Sequence, residues 1–583
     1  MALNPNKLMD VSRLREAIHA SRRKLEPFRV RHKQALEQYV GVYYSDDGAT
    51  KPVHVNLMEL ATNIYERQLV ARPPQVLIFT KNEQFKPYSL EYESLLNESL
   101  DDGKIHKVFQ RSIKAALFSM GIVKVGIEDA GLVEEAGVEF STTRPYVSNI
   151  LLDDWVHDMS ARSPEEISYC GHRYLMDLDE AKKFKGFSQS VRKELVARRT
   201  DGYNESGDER VNTLASGAGG TDAEIHDKVE LWEIFLTKER LVVTIGPNEG
   251  MKPLRVVEWE GPDNHLGPYH LLWFSEVPGN SMPLAPAMLW SGLHNIVNGL
   301  YRKLERQSQR AKVVGLTRGM DTGDAERIRK AGDGEVVAVD NPDSVVEKQF
   351  GGIDQRNFAF MLQSKQLFSW LAGNLDALGG LAASSETVGQ DKMLNASANQ
   401  RVSGMQDLVM EFTRDILKSY GYWLWEDPVQ TYDVELTFPD LPSVTSQLTP
   451  EEREAHSVYE HEVRIEPYSM QYLSPGQRLQ SINQIVQGII IPSLPLLQQQ
   501  GMGLDMEALL EVYAKYANLP ELRDIIINTG SPAQGGGEES RQSPVTSRQT
   551  ERISRAGAAT PGRNEQEMIQ QMMSGSEQQM QGA

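Results

Sequence analysis

The sequence predicts an α+β, mainly helical protein, and three observations carry this prediction. Segments at the start and in the middle of the chain place apolar residues three and four positions apart, as amphipathic helices do. Between residues 121 and 260 the pattern changes to short runs of β-branched and aromatic residues, which predict strands. From about residue 529 the composition is Gly, Ser, Gln, Glu and Arg, which indicates a disordered tail.

The first part of the chain is predicted to be helical, and the part after it to be rich in strands. Helices are expected at Val11–Tyr39, Asn56–Ala71 and Ser89–Phe118, the second one stopped by Pro73 and Pro74. Strands are expected at Gly121–Asp129, Arg144–Asp158, Ile167–Met176, Lys228–Leu236, Arg240–Gly246 and Leu254–Glu260. Two short helices, Leu178–Lys185 and Ser188–Arg198, and a loop, Thr200–Thr221, separate the strands.

The middle of the chain predicts two helices joined by a small insert. The first helix begins at Pro283 and Pro286 and runs to about Arg310. The insert contains three candidate strands, at Val313–Leu316, Glu335–Asp340 and Val345–Phe350, with a small helix at Asp324–Lys330. A second helix is expected at Gln355–Leu378, followed by a loop rich in Ser, Ala and Gly, and by a third helix at Asp391–Trp425. Later elements are a strand at Tyr432–Phe438 and helices at Pro475–Gln487 and Met506–Ala517.

Charge and cysteine content exclude several classes of protein. The 583 residues carry a formal net charge of -20, so the whole chain repels a polyanion, unlike a conventional repressor or a nucleic-acid coat. Cys170 is the only cysteine, which excludes an intrachain disulfide framework and a cysteine-based zinc cluster. The polar N-terminal segment and the short, proline-interrupted apolar run at Ile485–Leu497 predict a soluble protein of a reducing compartment, without a membrane partner.

The sequence gives little support to catalysis, and we expect no enzyme, metal or cofactor. It contains no phosphate-binding G-x-x-x-x-G-K-[ST] loop, no G-x-S-x-G elbow and no H-E-x-x-H pair. His456, Glu460 and His461 form a cluster that favours a solvated helix over a metal site. The acidic pairs Asp46-Asp47, Asp101-Asp102 and Asp153-Asp154 are compatible with nuclease ligands but more typical of turns and caps. Asp153-Asp154 is interpreted as a strand end. Cys170 is interpreted as a small buried side chain.

A basic stretch stands out against the acidic background. Its six cations, opposed only by Glu305, are Arg302, Lys303, Arg306, Arg310, Lys312 and Arg318. Arg302, Arg306 and Arg310 repeat at i, i+4 and therefore line one face of the predicted helix. Either neighbouring acids or solvent offset these charges, or the patch faces nucleic acid or an acidic partner.

The segment between the second and third central helices is the other candidate. It runs from Leu378 to Gly389 and its flexible residues include Leu378, Gly379, Gly380, Leu381, Ser384, Ser385, Glu386 and Thr387. Such segments are usually plain connections, but a loop carried by two stiff helices can also project into a cavity and move there.

The order of these elements resembles the portal (head-to-tail connector) proteins of tailed double-stranded DNA bacteriophages, in particular the podovirus-like group. The resemblance lies in HLGPYHLLWFSEVPGNSMPLAPAMLWSGLHNIVNGLYRKLERQSQRAK, the helix–insert–helix pattern after it, FSWLAGNLDALGGL and SETVGQDKMLNASANQRVSGM. The earlier segments NLMELATNIYERQLVARPP and SIKAALFSMGIVKVGIED are also similar to the portal wing. The resemblance covers roughly residues 10 to 520 and is one of order and texture, because portals have no short diagnostic motif.

The resemblance implies a portal-type ring subunit with wing, stem, clip and crown. By position it assigns 1–282 to the wing, 283–310 to the first stem helix, 311–352 to the clip and 353–378 to the second stem helix. It further assigns 379–390 to a channel (tunnel) loop, 391–450 to the long wing helix and strand, 451–528 to the crown and 529–583 to a disordered tail.

The function implied is that of a ring, typically of twelve copies, at one capsid vertex, through which DNA is packaged and ejected and on which head assembly nucleates. The implied partners are double-stranded DNA, the terminase large subunit, the major capsid and scaffolding proteins, and tail or head–tail adaptor proteins. The implied location is the virion, with the host cytoplasm during assembly. An acidic wall then suits the channel, because phosphate contacts would hold the DNA back. Long helices with more apolar surface than a monomer needs fit contacts with two neighbours.

Two alternatives remain open from the sequence. The first is another structural phage protein, a scaffold or head–tail adaptor without a DNA-conducting channel. The second is a metal-dependent nuclease that uses the acidic pairs.

Overall fold

The computed structural model describes residues 11–41, 55–102, 104–135, 138–197, 227–247, 252–317, 322–330, 338, 345–378, 388–438, 441–466 and 469–470. The described residues all belong to one compact unit, which lies within Met1–Ser474. The predicted loop at 200–221, the strand at 335–340, the helices after residue 475 and the tail lie outside the described residues.

The described residues contain both helices and sheets, with more helix than strand, as the α+β prediction requires. The helices are α1 (Val11–Val40), α2 (Leu57–Val70), α3 (Lys86–Asp102), α4 (Ile105–Phe118), α5 (Leu178–Lys183), α6 (Gln189–Arg192), α7 (Pro286–Gln309), α8 (Thr322–Lys330), α9 (Gln355–Leu371), α10 (Leu375–Leu378), α11 (Val388–Trp425) and α12 (Pro450–Glu454).

The strands pair antiparallel in five small sheets. They are β1 (Val76–Phe79), β2 (Gly121–Glu135), β3 (Val138–Ile150), β4 (Trp155–His157), β5 (Tyr169–Asp177), β6 (Lys228–Leu236), β7 (Leu241–Ile245), β8 (Arg255–Glu258), β9 (Tyr269–Leu272), β10 (Lys312–Thr317), β11 (Val345–Phe350), β12 (Tyr432–Phe438), β13 (Leu441–Leu448) and β14 (Glu462–Ile465). The largest sheet has the order β4-β5-β6-β7-β8, and a three-stranded sheet has the order β3-β2-β9.

The larger core is helical and joins α2, α3, α4, α7 and α11. Its buried residues include Phe109 of α4, Trp290 of α7 and Ile416 of α11. Tyr65 of α2 stacks on Trp290 at 5.4 Å between ring centroids, so α7 is anchored to the body near its N-terminal end. Burial of such large aromatic side chains supplies most of the free energy that holds these helices together.

Helix α1 packs against the five-stranded sheet. Its Leu14 and Ile18 pack with Trp232 and Val243 of the sheet in a separate apolar cluster. Its Arg29 donates from Nη2 to the carbonyl oxygen of Trp155 at 2.9 Å, so a charged side chain satisfies an edge-strand acceptor. The amphipathic pattern that predicted α1 is therefore the pattern of a helix on a sheet.

A helical hairpin, formed by α7 and α9, carries the small β10–β11 sheet at its end. Lys303 Nζ of α7 donates to Asn357 Oδ1 of α9 at 3.4 Å, and the backbone N–H of Asp354 donates to Gln307 Oε1 at 3.2 Å. The two helices therefore run antiparallel. Strand β10 pairs with β11 from Lys312 opposite Phe350 to Thr317 opposite Val345, with α8 lying between them in sequence.

Several predicted elements differ from the observed ones. The helix predicted at Ser188–Arg198 is reduced to α6, Gln189–Arg192. The helix predicted at Ser89–Phe118 is two helices, since Lys104 adopts a left-handed conformation with φ 51°. The helix predicted at Gln355–Leu378 ends at Leu371, because Gly373 and Asn374 have φ of 84° and 60° and start a new turn of helix, α10. The strand predicted at Arg144–Asp158 is divided into β3 and β4 by a turn in which the Asp154 N–H donates to the Leu151 oxygen.

The end of the described chain returns to its beginning. Strand β14 pairs with β1, with Val463 opposite Ile78, and β13 pairs with β12 in a hairpin that the sequence did not predict. The segment assigned to the start of the crown at residue 451 is thus hydrogen-bonded to a segment assigned to the wing.

Candidate functional site

The exposed face of α7 changes in character along its length. Leu289, Ile296, Lys303 and Arg310 follow one another at seven-residue intervals and therefore lie on one side of the helix. Leu289 and Ile296 are 40% and 45% exposed, and Lys303 and Arg310 are exposed. The stripe is thus aliphatic near the body and basic near the β10–β11 sheet.

The structure separates the predicted basic residues into different environments. Arg306 and Arg310 are exposed, and neither forms an ion pair with another described residue. Lys303 contacts Asn357, whereas Arg302 is half-buried, so the three arginines do not share one solvent-facing line. Lys312 begins β10, and Arg318 lies outside the described residues.

Burial determines the protonation state of His294, the titratable side chain beside this stripe. His294 is fully buried on the inner side of α7, and desolvation, followed by the nearby Arg302 charge, lowers its pKa to about 4. Asn298 donates from Nδ2 to the His294 carbonyl oxygen at 3.0 Å and to the Val55 oxygen at 2.9 Å. His294 on the inner side of the helix is therefore neutral at pH 7, whereas Arg306 and Arg310 place positive charge on the exposed side.

Helix α9 exposes apolar side chains on opposite flanks. Phe358 and Leu362 lie on one flank, and Phe360 and Leu367 on the other, roughly 160° away at 100° per residue. The most exposed of the set, Trp370 and Phe360, are 65% and 53% accessible. Only Ser364 and Phe368 of this helix are buried among the described residues. The sequence patterns described above did not predict this exposed apolar surface. A signal was present, because a helix that is apolar on all sides requires burial that the single chain does not supply.

The predicted loop begins at the end of α10, Leu378, and α11 begins at Val388, while the residues between them lie outside the described residues. Of its candidate residues only Leu378 is described, where it packs on the helical core at the end of α10. Gln68 of α2 donates from Nε2 to the Leu378 oxygen at 3.4 Å, and Gln406 of α11 donates to the Gln68 oxygen at 2.9 Å. One glutamine therefore links the helices before and after the loop. Gly379, Gly380, Leu381, Ser384, Ser385, Glu386 and Thr387 lie outside the described residues.

The histidine cluster near residue 460 lies in an aromatic environment rather than on a solvated helix. His461 is buried, and its Nδ1 lies 3.0 Å from Ser89 Oγ. His456 stacks on Phe85 with ring centroids 4.6 Å apart, and both histidines contact Trp425. Helix α12 ends at Glu454, before the cluster, so the predicted solvated helix is wrong here.

The other candidate residues have structural partners. Asp154 Oδ1 accepts from Arg173 Nη2 at 2.8 Å in the turn before β4, in agreement with its interpretation as a strand end. Cys170 is fully buried, as predicted, and burial raises the pKa of its thiol. Asp101 and Asp102 end α3, whereas Asp46 and Asp47 lie outside the described residues.

A His–Ser contact that sequence reasoning missed is also structural. His157 Nε2 lies 3.0 Å from Ser281 Oγ, and both side chains are buried. Trp155 Nε1 donates to His157 Nδ1 at 3.1 Å, so the proton of the neutral imidazole is on Nε2 and points toward Ser281. A histidine in this tautomer donates to the serine oxygen and cannot remove its proton.

Within the part of the chain that the structure describes, no three His, Cys, Asp or Glu side chains converge as metal ligands would. No described helix combines the length and the apolar character required to cross a bilayer.

Comparison of the chain with models of protein families, and with curated proteins, gives no match.

Proposed function

We propose that this chain is the subunit of a portal ring, which conducts double-stranded DNA through one capsid vertex and which is not an enzyme. The observation that carries the proposal is the α7–α9 hairpin, with apolar residues exposed on two flanks of α9 and on α7. A monomer gains nothing by exposing Phe358, Phe360 and Trp370 to water, whereas a ring buries one flank of each subunit against each neighbour.

The order of the hairpin supports the same function. The small β10–β11 sheet lies at its far end, where a clip would be, and the ends of the predicted channel loop are supported by α10 and α11. In the proposed ring, α7 and α9 form the stem, residues 311–352 the clip that docks the terminase large subunit and later the tail or adaptor proteins, and 379–390 the channel loop. The wing would contact the major capsid and scaffolding proteins, and the ring would be a virion component, with twelve copies as the expected number.

The proposal is tested by electron microscopy of the purified full-length chain. We expect rings with a central hole, and a monomer at all concentrations would overturn the proposal. Rings alone do not demonstrate conduction, so a second variant that lacks residues 381–387 is compared with the full chain in an infected or reconstituted packaging system. We expect intact rings that package or retain less DNA. Normal packaging and retention would contradict the assignment of the channel loop.

A further inference from the structure

A cleft lies between α1 and α7. Its volume is about 880 Å³, and its lining includes Phe28, Arg31, Met282, Leu284, Met288 and Asn295. Apolar side chains and charged or amide side chains both line it. Such a mixed lining accepts an amphipathic side chain, which combines apolar area with a polar group.

Exposed aliphatic side chains lie in the wall of the cleft and on the neighbouring face of α7. Leu284, in the wall, is 39% exposed, and Leu289, in the stripe, is 40% exposed. Met288 of the cleft and Leu289 of the stripe are successive residues and therefore lie about 100° apart around α7. The cleft and the aliphatic half of the stripe thus occupy adjacent faces of the helix.

The chain also carries the group that fits this surface. Trp370 and Leu367 of α9 are 65% and 48% exposed. A tryptophan combines a large apolar area with one N–H donor, and Arg31 and Asn295 of the cleft supply a cation for its ring and an amide oxygen for its N–H. The cleft thus lies on α1 and α7, and the side chains that would fill it lie on α9.

The cleft and the two α9 side chains lie at the same height along the hairpin. Because Lys303 lies beside Asn357 and Gln307 beside Asp354, residue 370 is level with residue 290, and residue 367 with residue 293. The cleft residues Met288 and Asn295 bracket that level. Rotation about a ring axis keeps each residue at its height, so in a hairpin that runs along the axis the residues that meet between two copies are level.

We propose that the cleft between α1 and α7 binds Trp370 and Leu367 of a second copy of this chain. The proposal rests on the ring function proposed above and names the surfaces that close the ring. The contact is heterologous: each subunit offers α9 to one neighbour and the cleft to the other, and the repeated rotation closes.

Chemical crosslinking tests the pairing directly. Gln366→Cys on α9 and Asn295→Cys on the cleft rim are level in the hairpin and both replace exposed polar residues. The native Cys170 is fully buried and does not compete for a bismaleimide. We expect the doubly substituted chain to give a ladder of covalent oligomers on a denaturing gel, and each singly substituted chain to give monomers.

A mixture of the two singly substituted chains distinguishes a heterologous contact from an isologous one. A heterologous contact predicts covalent dimers in this mixture and no larger species. Rings in the microscope without covalent dimers from the mixture would overturn the cleft assignment and leave the ring function standing. Absence of rings from the native chain would overturn the ring function itself. Crosslinking of either single variant alone would indicate an isologous contact, which also overturns the proposal.

A second measurement does not depend on crosslinking geometry. Trp370→Ala should raise the protein concentration needed for ring assembly by about tenfold or more, as loss of an anchoring tryptophan does at interfaces. Tyr459→Ala is the matched control, because Tyr459 is 59% exposed and lies outside the hairpin. Equal assembly of the native chain and of both variants would contradict the role of Trp370.

Discussion

His157 shows how single residues of the body combine burial with a fixed protonation state. Burial lowers the pKa of this imidazole to about 4, although the nearby Asp158 charge acts in the opposite direction. Its Nδ1 accepts a hydrogen bond from Trp155, so a second proton would have to displace that donor. His172, His270 and His294 are buried as well, and desolvation lowers their pKa values to about 3, 4 and 4. The folded body therefore keeps these histidines neutral.

This arrangement predicts that the fold loses stability as the pH falls from about 6.5 toward 4. Over that interval the unfolded chain, whose histidines titrate near pH 6.5, binds more protons than the folded chain, so stability rises with pH. Each such histidine contributes at most about 1.4 kcal/mol per pH unit. Thermal unfolding at pH 7, 6 and 5 measures the effect, and His157→Gln should reduce the slope. A melting temperature that is constant or higher at pH 5 would contradict this.

Gly421 of α11 lies where two helices approach closely. A Cβ at this position would overlap the Tyr92 hydroxyl group and come within 3.2 Å of Leu96 Cδ2. Tyr92 is buried and its ring contacts Trp425, so it has no room to move away. The glycine is therefore needed for the contact between α3 and α11.

We expect Gly421→Ala to destabilise the body by about 1–3 kcal/mol through overpacking. The matched control is Gly404→Ala in the same helix, where a Cβ meets no atom within 4 Å. Alanine has the higher helix propensity, so the control should stabilise by about 0.5–1 kcal/mol. Thermal unfolding of both variants gives the comparison, and equal effects of the two substitutions would contradict the close-packing argument.

At the scale of the elements, hydrogen bonds hold the hairpin of α7 and α9 at both ends. Near the body, Tyr65 Oη donates to the carbonyl oxygen of Ala372 at 2.9 Å, directly after α9 ends. At the far end Lys312 lies opposite Phe350, so the small sheet closes the hairpin with a pair of neighbouring backbones. The two helices would therefore stay connected at this end if the residues between Lys312 and Phe350 were removed.

Removal of the clip should therefore spare the remainder of the chain. Replacing residues 313–349 with Asn-Gly joins Lys312 to Phe350 by a tight turn that suits two antiparallel strands. We expect unchanged ring formation by electron microscopy and loss of binding to the terminase large subunit in a pull-down, with the full-length chain as the control. A variant that no longer forms rings would show that the clip itself contributes to the subunit interface.

Sequence patterns predict the elements that local chemistry defines. The start of α7 at Pro286 and the bounds of β6, Lys228–Leu236, follow from proline at the first helical turn and from an apolar β-branched run. The break at Lys104 had a signal in Gly103, since glycine is typical of helix ends, although helical periodicity continues across it. The break after Leu371 had a signal in Gly373-Asn374, since both residue types favour the left-handed conformation at helix ends.

The candidate site was predictable in part, for the same reason. The i, i+4 spacing predicted one helix face for Arg302, Arg306 and Arg310, whereas Arg306 and Arg310 are exposed and Arg302 is half-buried. Arg302 lines the cleft together with residues of α1, which is distant in sequence. The cleft also needs α1 and α7 together, and no local pattern encodes that contact.

At the scale of the whole molecule, the charge distribution bears on the proposed passage of DNA. In the proposed ring, a net charge of -20 on each subunit would repel a polyanion from the wall, whereas the exposed Arg306 and Arg310 place positive charge at the end of α7 beside the proposed clip. Each phosphate contact adds salt-dependent affinity, so we expect two cations in each subunit to orient DNA without the drag that a fully basic wall would create.

Reversal of the charges of Arg306 and Arg310 tests whether these two residues guide DNA. Because both side chains are exposed and neither has a described ion-pair partner, Arg306→Glu with Arg310→Glu should change the free energy of unfolding by no more than about 0.5 kcal/mol. DNA packaging should fall, because the guiding charge at the clip becomes repulsive. Lys182→Glu with Lys183→Glu on α5 makes the same change in net charge outside the hairpin and serves as the control. If both double variants package DNA equally, net charge rather than this patch governs passage; if the Arg306/Arg310 variant fails to fold, the two arginines stabilise the subunit and do not guide DNA.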